Sequence, residues 1–168
     1  MSITNTEGYF VKYTSLVTED NLTDAFSNQD KIIKDFYEKI SEEKSMYAYA
    51  VGKWTLKELL QHIIDTERIF CYRALAIARK DTATLPSFDE NLYAANSNAN
   101  ARTWESLVTE MNAVRLTTKI LFTSFSEEMF ATVGKFSSNT SNPETLGYIM
   151  VGHVYHHLDI VEERYLAD

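Results

Sequence analysis

Cysteine, proline and glycine are scarce in this sequence. Its 168 residues include one cysteine, two prolines and five glycines. The single cysteine, Cys71, leaves no internal disulfide possible, which is typical of proteins from a reducing cytoplasm. Because glycine and proline, which interrupt helices, are so few, the composition argues against a many-turned β-sandwich and favours long continuous helices.

Long apolar runs and an excess of positive charge are also missing. No run of eighteen apolar residues occurs, and the segment MSITNTEGYF lacks the basic and apolar regions of a signal peptide. These absences predict a cytoplasmic protein without a membrane partner. The formal net charge of −8, with no Lys/Arg cluster, argues against a nucleic-acid partner.

Four long segments carry apolar residues at the three- and four-residue spacing of amphipathic helices. They cover residues 22–40, 56–79, 103–125 and 147–166. Thr55 and Glu58 form a capping box before the second segment, and Asn142-Pro143 is a typical helix start before the fourth. We therefore predict one all-α domain over residues 1–168, a four-helix bundle whose long connections allow crossovers.

Shorter features lie before the first of these segments and between the others. Residues 5–17 have the pattern of a short amphipathic helix, and Ser126 is placed to cap a further turn. The pattern lapses over 81–101, where we expect a loop with one helical turn, a type that often forms a functional lid or wall. Residues 135–146 are expected to form a polar linker, and no segment has a convincing strand pattern.

Two histidines of the fourth segment, His153 and His157, fall in the middle of its apolar stripe. Buried imidazoles must satisfy their ring nitrogens away from water. Residues at positions i and i+4 can bind one metal ion, but they can equally be core histidines that hydrogen-bond to carbonyls or carboxylates. His156 lies at the border of the stripe and is a poorer candidate.

His62 lies on the core stripe of the second segment and is the candidate third ligand. Three protein ligands with one open position are typical of catalytic zinc sites, although nickel, iron or cobalt also bind imidazole nitrogen. Asp65 flanks His62, and we predict that it orients an imidazole or acts as a general base. The alternative for Asp65 is a solvated helix face. Glu58 is expected to be occupied by its cap, and Glu67 points elsewhere on the helix.

Two arginines, Arg73 and Arg164, are also predicted to project inward. Such side chains either bind an anionic group of a substrate or pair with buried carboxylates. Several aromatic residues either line a pocket or pack in the core. They are Tyr72, Phe88, Tyr93, Trp104 and Tyr155.

Four motifs together resemble the DinB-like superfamily, which includes the YfiT-type proteins. They are Gly52-Lys53-Trp54-Thr55, Leu59-Leu60-Gln61-His62-Ile63-Ile64-Asp65-Thr66-Glu67, Leu85-Pro86-Ser87-Phe88-Asp89 and Gly152-His153-Val154-Tyr155-His156-His157-Leu158. The resemblance implies a four-helix bundle of unusual connectivity, often a homodimer, that holds a divalent metal ion, zinc or nickel, on a histidine triad. By motif position the triad is His62, His153 and His157.

Family activities include transfers that use glutathione-like thiols, and many members are described as metal-dependent hydrolases. The leading hypothesis is therefore a metal-dependent enzyme that acts on a small-molecule substrate by hydrolysis or by S-transfer with a low-molecular-weight thiol. A competing hypothesis is a stress-associated, non-catalytic protein in which the metal ion stabilises the bundle or a dimer. A third is that the histidines pack without a metal ion.

Overall fold

The fold was obtained as a computed structural model that describes residues 10–167. Its four long helices are α2 (Leu22–Glu38), α4 (Leu56–Ala78), α6 (Trp104–Thr123) and α8 (Pro143–Arg164). The short elements are α1 (Val11–Thr14), α3 (Glu42–Ser45), α5 (Glu90–Asn96), a 3-10 turn (Ala99–Ala101), α7 (Glu127–Ala131), β1 (Gly134–Phe136) and β2 (Asn139–Ser141). Within residues 10–167, every helix is too short or too polar to cross a bilayer.

The starts of the long helices confirm the capping predictions. The Thr55 side chain accepts from the backbone N–H of Glu58, and the Glu58 carboxylate accepts from the Thr55 N–H. Asn142 accepts from the N–H of Thr145, with Pro143 in the first turn. These contacts satisfy N–H groups that have no partner inside the helix. Sequence-local chemistry therefore fixes where the two helices that carry the histidines begin.

The central helix of the bundle is α4, which packs most extensively against α8 and α6, while α2 packs against α8 and α6. The buried apolar side chains form two clusters. One cluster contains Phe26, Phe70 and Phe122, and the other contains Leu59, Leu107 and Val161. Full burial of one such side chain contributes about 1.5–3 kcal/mol to stability. Because α4 and α8 contribute to both clusters, the core holds these two helices together along their length.

The segment predicted as a polar linker instead contains a β-hairpin. Strand β1 pairs antiparallel with β2, with Gly134 opposite Ser141. Phe136 is buried, and it forms a parallel bridge with Leu85 on the preceding connection. The hairpin exists because Phe136 packs against Phe70 of α4, a tertiary contact that a short polar segment does not reveal. It connects the 81–101 segment to the bundle.

The N-terminal helix α1 is shorter than predicted, and the predicted positions 5–9 lie outside the described residues. Helix α1 crosses α8 very closely at Gly152. A Cβ atom placed on Gly152 would lie only 1.9 Å from the carbonyl oxygen of Tyr13. Real Cβ atoms do not approach an oxygen so closely, so this crossing requires a glycine. The crossing places Tyr13 beside the histidines of α8.

Candidate metal centre

Three histidines from two helices meet inside the bundle. His62 comes from α4, and His153 and His157 come from successive turns of α8. The Nε2 atom of His153 lies 3.1 Å from that of His62 and 3.0 Å from that of His157. All three side chains are buried. The structure thus brings together the three residues predicted as metal ligands, each with one ring nitrogen directed at a common point.

These separations fit a shared metal ion. Two nitrogen ligands of one tetrahedral zinc ion, each about 2.0–2.1 Å from it, lie about 3.3 Å apart. Hydrogen bonds among the rings are a poorer explanation. One Nε2 atom carries either one hydrogen or one lone pair, so His153 cannot make good hydrogen bonds to His62 and His157 together. A cation would satisfy all three atoms.

Burial keeps the three imidazoles neutral. It lowers the pKa of His62 to about 4. The pKa values of His153 and His157 are held well below the ordinary histidine value, first by burial and then by repulsion from neighbouring histidines. A neutral imidazole has the free lone pair that a metal ligand needs. The triad is therefore in the protonation state for metal binding at neutral pH.

Two outer nitrogens of the triad lack, within residues 10–167, the partners that core histidines normally have. The Nδ1 atoms of His62 and His157 are buried without a hydrogen-bond partner among the described residues. Aromatic rings contact the imidazoles instead: Trp54 lies 4.9 Å from His62 and Tyr13 lies 5.3 Å from His153, measured between ring centroids. The idea of core histidines hydrogen-bonded to carbonyls or carboxylates therefore finds no support at these two nitrogens.

A cavity of about 480 Å³ opens onto the triad. Such a volume is within the range of small-molecule sites. One wall comes from α1, another from residues 87–90 before and at the start of α5, and a third from the hairpin. The 81–101 segment was expected to form a lid or wall, and part of it does line the cavity. His156 also lines it but is not one of the three converging ligands.

The carboxylates near His62 in sequence lie outside this cavity. Asp65 accepts from the side-chain amide of Gln61 and lies 3.8 Å from Arg68. Burial raises the pKa of Asp65. None of its hydrogen bonds reaches a histidine in the described part of the chain, so the predicted role of Asp65 stays a prediction that this geometry does not favour. Glu58 is occupied by its cap, as expected.

The two arginines predicted to project inward have different positions. Arg73 is buried and lines the cavity. The prediction for Arg164 is wrong: it is exposed, at the last turn of α8, where its guanidinium contacts Tyr49. Val161 and Tyr165 in the same turn are buried, so the covered face of this turn lies beside Arg164 and not on it.

The candidate aromatic residues also divide. Phe88 lines the cavity, whereas Tyr72 and Tyr93 are exposed. Trp104 packs in the core and donates from its indole nitrogen to the carbonyl of Tyr37. Tyr155 is partly buried against both core clusters. Only Phe88 of this set belongs to the site.

A second buried polar group was not predicted from the sequence. We call Gln29, Glu67, Arg115 and Thr118 the ion-pair cluster. Arg115 donates to the Glu67 carboxylate through Nε and Nη2 and to the Gln29 side chain through Nη1. Thr118 also donates to Glu67. The available signal was Gln29, the one polar residue on the apolar stripe of α2.

Comparison with known proteins shows which family this chain belongs to and which solved structure has a similar fold. The family model of the DinB superfamily matches residues 25–161. YfiT from Bacillus subtilis, described as a probable metal-dependent hydrolase with an unusual four-helix bundle topology, is similar in structure with a TM-score of 0.70. The alignment has 13% sequence identity and covers 95% of this chain and 87% of that one. No curated protein matches the sequence. Because the family model spans most of its length, the chain belongs to the DinB superfamily.

Proposed function

We propose that this protein is a metal-dependent enzyme that acts on small molecules, with a divalent ion held by His62, His153 and His157. One observation supports this most strongly: three neutral, buried imidazoles converge at the wall of an open cavity. Catalytic sites combine three protein ligands with an accessible position in this way. Zinc and nickel are the ions we propose, since both accept nitrogen ligands.

The chain's own residues prepare this site. The three imidazoles stay neutral. The Nε2 atom of His153 lies 3.1 Å from that of His62 and 3.0 Å from that of His157, close to the distance between two nitrogen ligands of one ion. Trp54 and Tyr13 contact two of the rings and form part of the cavity wall beside them. When bound, a divalent ion would supply Lewis acidity that makes a water molecule or a thiol more acidic. Among residues 10–167, Glu90 is the carboxylate that lines the cavity, and Asp65 does not line it, so the proton would pass to Glu90, to solvent or to the substrate.

The reaction is proposed as hydrolysis or as S-transfer from a low-molecular-weight thiol. The description of YfiT as a probable metal-dependent hydrolase supports the first. A three-histidine ligand set leaves the ion its full charge, which suits a thiolate and supports the second. The two reactions differ in one reagent, so a thiol-free assay separates them.

Access distinguishes catalysis from a purely structural metal ion. A structural ion is normally enclosed by a fourth protein ligand. Among residues 10–167, the cluster that could hold an ion contains three side chains, and neither Asp65 nor His156 joins it. The cavity beside it is large enough for a small substrate. These observations favour the enzyme over the non-catalytic alternative.

The test of the site is elemental analysis of tag-free protein by mass spectrometry. We expect about one equivalent of zinc or nickel per chain. His62→Ala should abolish retention, and His156→Ala, a neighbouring histidine outside the cluster, should retain the ion. Protein that takes up neither metal on addition, or equal metal content in the two variants, would contradict the proposal.

The test of the reaction compares metal-loaded and chelator-treated protein on ester and amide substrates, and on an electrophile with a low-molecular-weight thiol. We expect activity in one of the two assays that disappears with the metal and in His62→Ala. A reaction that continues after metal removal would exclude this mechanism. Full metal content without activity in either assay would favour the non-catalytic alternative.

A further inference from the structure

Arg73 carries a buried charge that has no carboxylate partner among residues 10–167. Its side chain is only 4% exposed, and it lines the same cavity as the triad. One hydrogen bond runs from its Nη2 to the carbonyl oxygen of Pro86, at 2.8 Å. Its Nε is buried without a partner, and no salt bridge to Arg73 exists among residues 10–167. A buried arginine without an acid partner is rare.

Aromatic rings hold the guanidinium of Arg73 in place. Its central carbon lies 4.6 Å from the ring centre of Phe136, 4.9 Å from that of Phe70 and 6.0 Å from that of Phe88. Contacts of this kind stabilise a cation through the faces of the rings. They leave the N–H groups of the guanidinium available as donors. Phe136 of the unpredicted hairpin is therefore part of the cradle of this arginine.

The charged side chains around the cavity favour a ligand with one negative charge. Among residues 10–167, the charged side chains that line the cavity besides the histidines are Lys12, Arg73 and Glu90. The buried guanidinium of Arg73 attracts an anion, whereas Glu90 would repel a second negative charge on a ligand. A guanidinium fork binds carboxylate and phosphate alike, so the repulsion from Glu90 makes a monoanionic carboxylate a better fit than a dianionic phosphate.

A stripe along α4 connects Arg73 to the histidines. His62, Thr66, Phe70 and Arg73 all line the cavity. At about 1.5 Å per residue, the Cα atoms of His62 and Arg73 are separated by about 16 Å along the helix axis. Both side chains lean toward the helix N-terminus, and the arginine shortens this span only because it is the longer of the two. Between them, the hydroxyl of Thr66 is buried without a hydrogen-bond partner among the described residues, so a ligand along this stripe would find a further polar contact.

We propose that Arg73 is a carboxylate-binding subsite, and that it selects extended, monoanionic carboxylates whose reactive group lies at the histidines. The substrate class rests on the proposed function, whereas the subsite depends only on Arg73 and its surroundings. Arg73 thereby orients the ligand at the end of the cavity away from the triad, where the apolar rings of Phe70, Phe88 and Phe136 accept its hydrocarbon part.

The test uses metal-free protein, so that a carboxylate cannot bind to a metal ion instead. The probes are 4-phenylbutyrate and its uncharged amide, titrated while the arginine Nε–H signals are followed by proton–nitrogen NMR. We expect the carboxylate to shift the Arg73 signal and to bind at least about tenfold more tightly than the amide, as a charge-assisted hydrogen bond provides. Arg73→Met should remove this advantage, and Arg164→Met, an exposed arginine, should keep it.

Two results would overturn the subsite. One is equal affinity for the carboxylate and the amide in the wild-type protein, a comparison that needs no variant to fold. The other is an Arg73 signal that does not respond to the carboxylate. The same titration on His62→Ala separates the two proposals: a preserved carboxylate preference supports the subsite whether or not zinc binds to the wild type, and failure of zinc binding counts only against the metal site.

Discussion

Two buried polar clusters in this bundle have opposite properties. The ion-pair cluster is satisfied: the Arg115 guanidinium and the Glu67 carboxylate each have several hydrogen bonds inside the protein. The histidine cluster of His62, His153 and His157 lines a cavity and, in the described part of the chain, leaves two ring nitrogens without partners. A satisfied polar network maintains structure, whereas an unsatisfied one in a cavity indicates a ligand site.

The two clusters meet on consecutive residues of α8. The carbonyl of Val151 accepts from Gln29 of the ion-pair cluster, Gly152 contacts α1, and His153 belongs to the histidine cluster. The ion-pair cluster thus fixes the backbone that carries the ligands. We therefore expect substitutions in the ion-pair cluster to lower stability, and substitutions in the histidine cluster to lower zinc binding.

The largest effect is expected for Glu67→Met. It leaves the charge of Arg115 buried without its main partner, and breaking a buried ion pair costs about 3–5 kcal/mol. The free energy of unfolding in urea measures this loss. Glu128→Met is the matched control, because it removes an exposed salt bridge to Lys80 and should leave stability unchanged. Equal effects of the two substitutions would contradict the structural role of the ion-pair cluster.

Zinc should stabilise the wild-type protein through the histidine cluster. At a free zinc concentration of 100 times Kd, binding contributes about 2.7 kcal/mol, which corresponds to a Tm higher by about 5–10 °C for a chain of this size. His62→Ala should lose this shift, whereas Glu67→Met should begin at a lower Tm and still show it. The same zinc shift in His62→Ala as in the wild type would place the ion elsewhere.

Gly152→Ala should destabilise the protein by about 1–3 kcal/mol, because the added methyl group overlaps the Tyr13 carbonyl. Alanine is otherwise the better helix former by about 1 kcal/mol. Zinc stoichiometry should not change, since all three ligands lie on α4 and α8. Denaturation and elemental analysis check both parts, and a more stable Gly152→Ala protein would show that α1 does not cross α8 as described.

The smallest effect is expected for His157→Leu in metal-free protein. The substitution removes a buried Nδ1 atom that has no hydrogen-bond partner in residues 10–167 and an Nε2 atom whose contact is the neighbouring His153, so stability should be unchanged or higher by up to about 1 kcal/mol. Denaturation in the presence of a chelator measures it. If His157→Leu lowered the free energy of unfolding as much as Glu67→Met, the histidine cluster would be a structural network.

Local sequence signals predicted the parts of the fold that depend on local chemistry. The starts of α4 and α8 followed from Thr55, Glu58 and Asn142, because a helix cap involves residues only three positions apart. The histidine triad was found because an imidazole on an apolar stripe is conspicuous wherever the stripe packs. His62 followed from the stripe of the second segment in the same way, and the resemblance to the superfamily then implied the same three residues by motif position.

Contacts between distant segments could not be predicted in this way. A wheel places Glu67 away from His62 but does not reveal that Arg115 of α6 faces it. The hairpin depends on burial of Phe136 against α4 and on its bridge to Leu85. Asp65 flanks His62 on the wheel, yet its hydrogen bond goes to Gln61 on the same helix. Partner choice across helices needs the packed structure.

Anomalous diffraction at the zinc edge, from crystals of the protein loaded with one equivalent of zinc, tests the histidine cluster most directly. We expect the strongest peak at bonding distance, about 2.0–2.1 Å, from the Nε2 atoms of His62, His153 and His157 together. A strongest peak elsewhere, or no peak among these three atoms, would contradict the metal centre and favour the alternative that the histidines pack in the core without a metal ion.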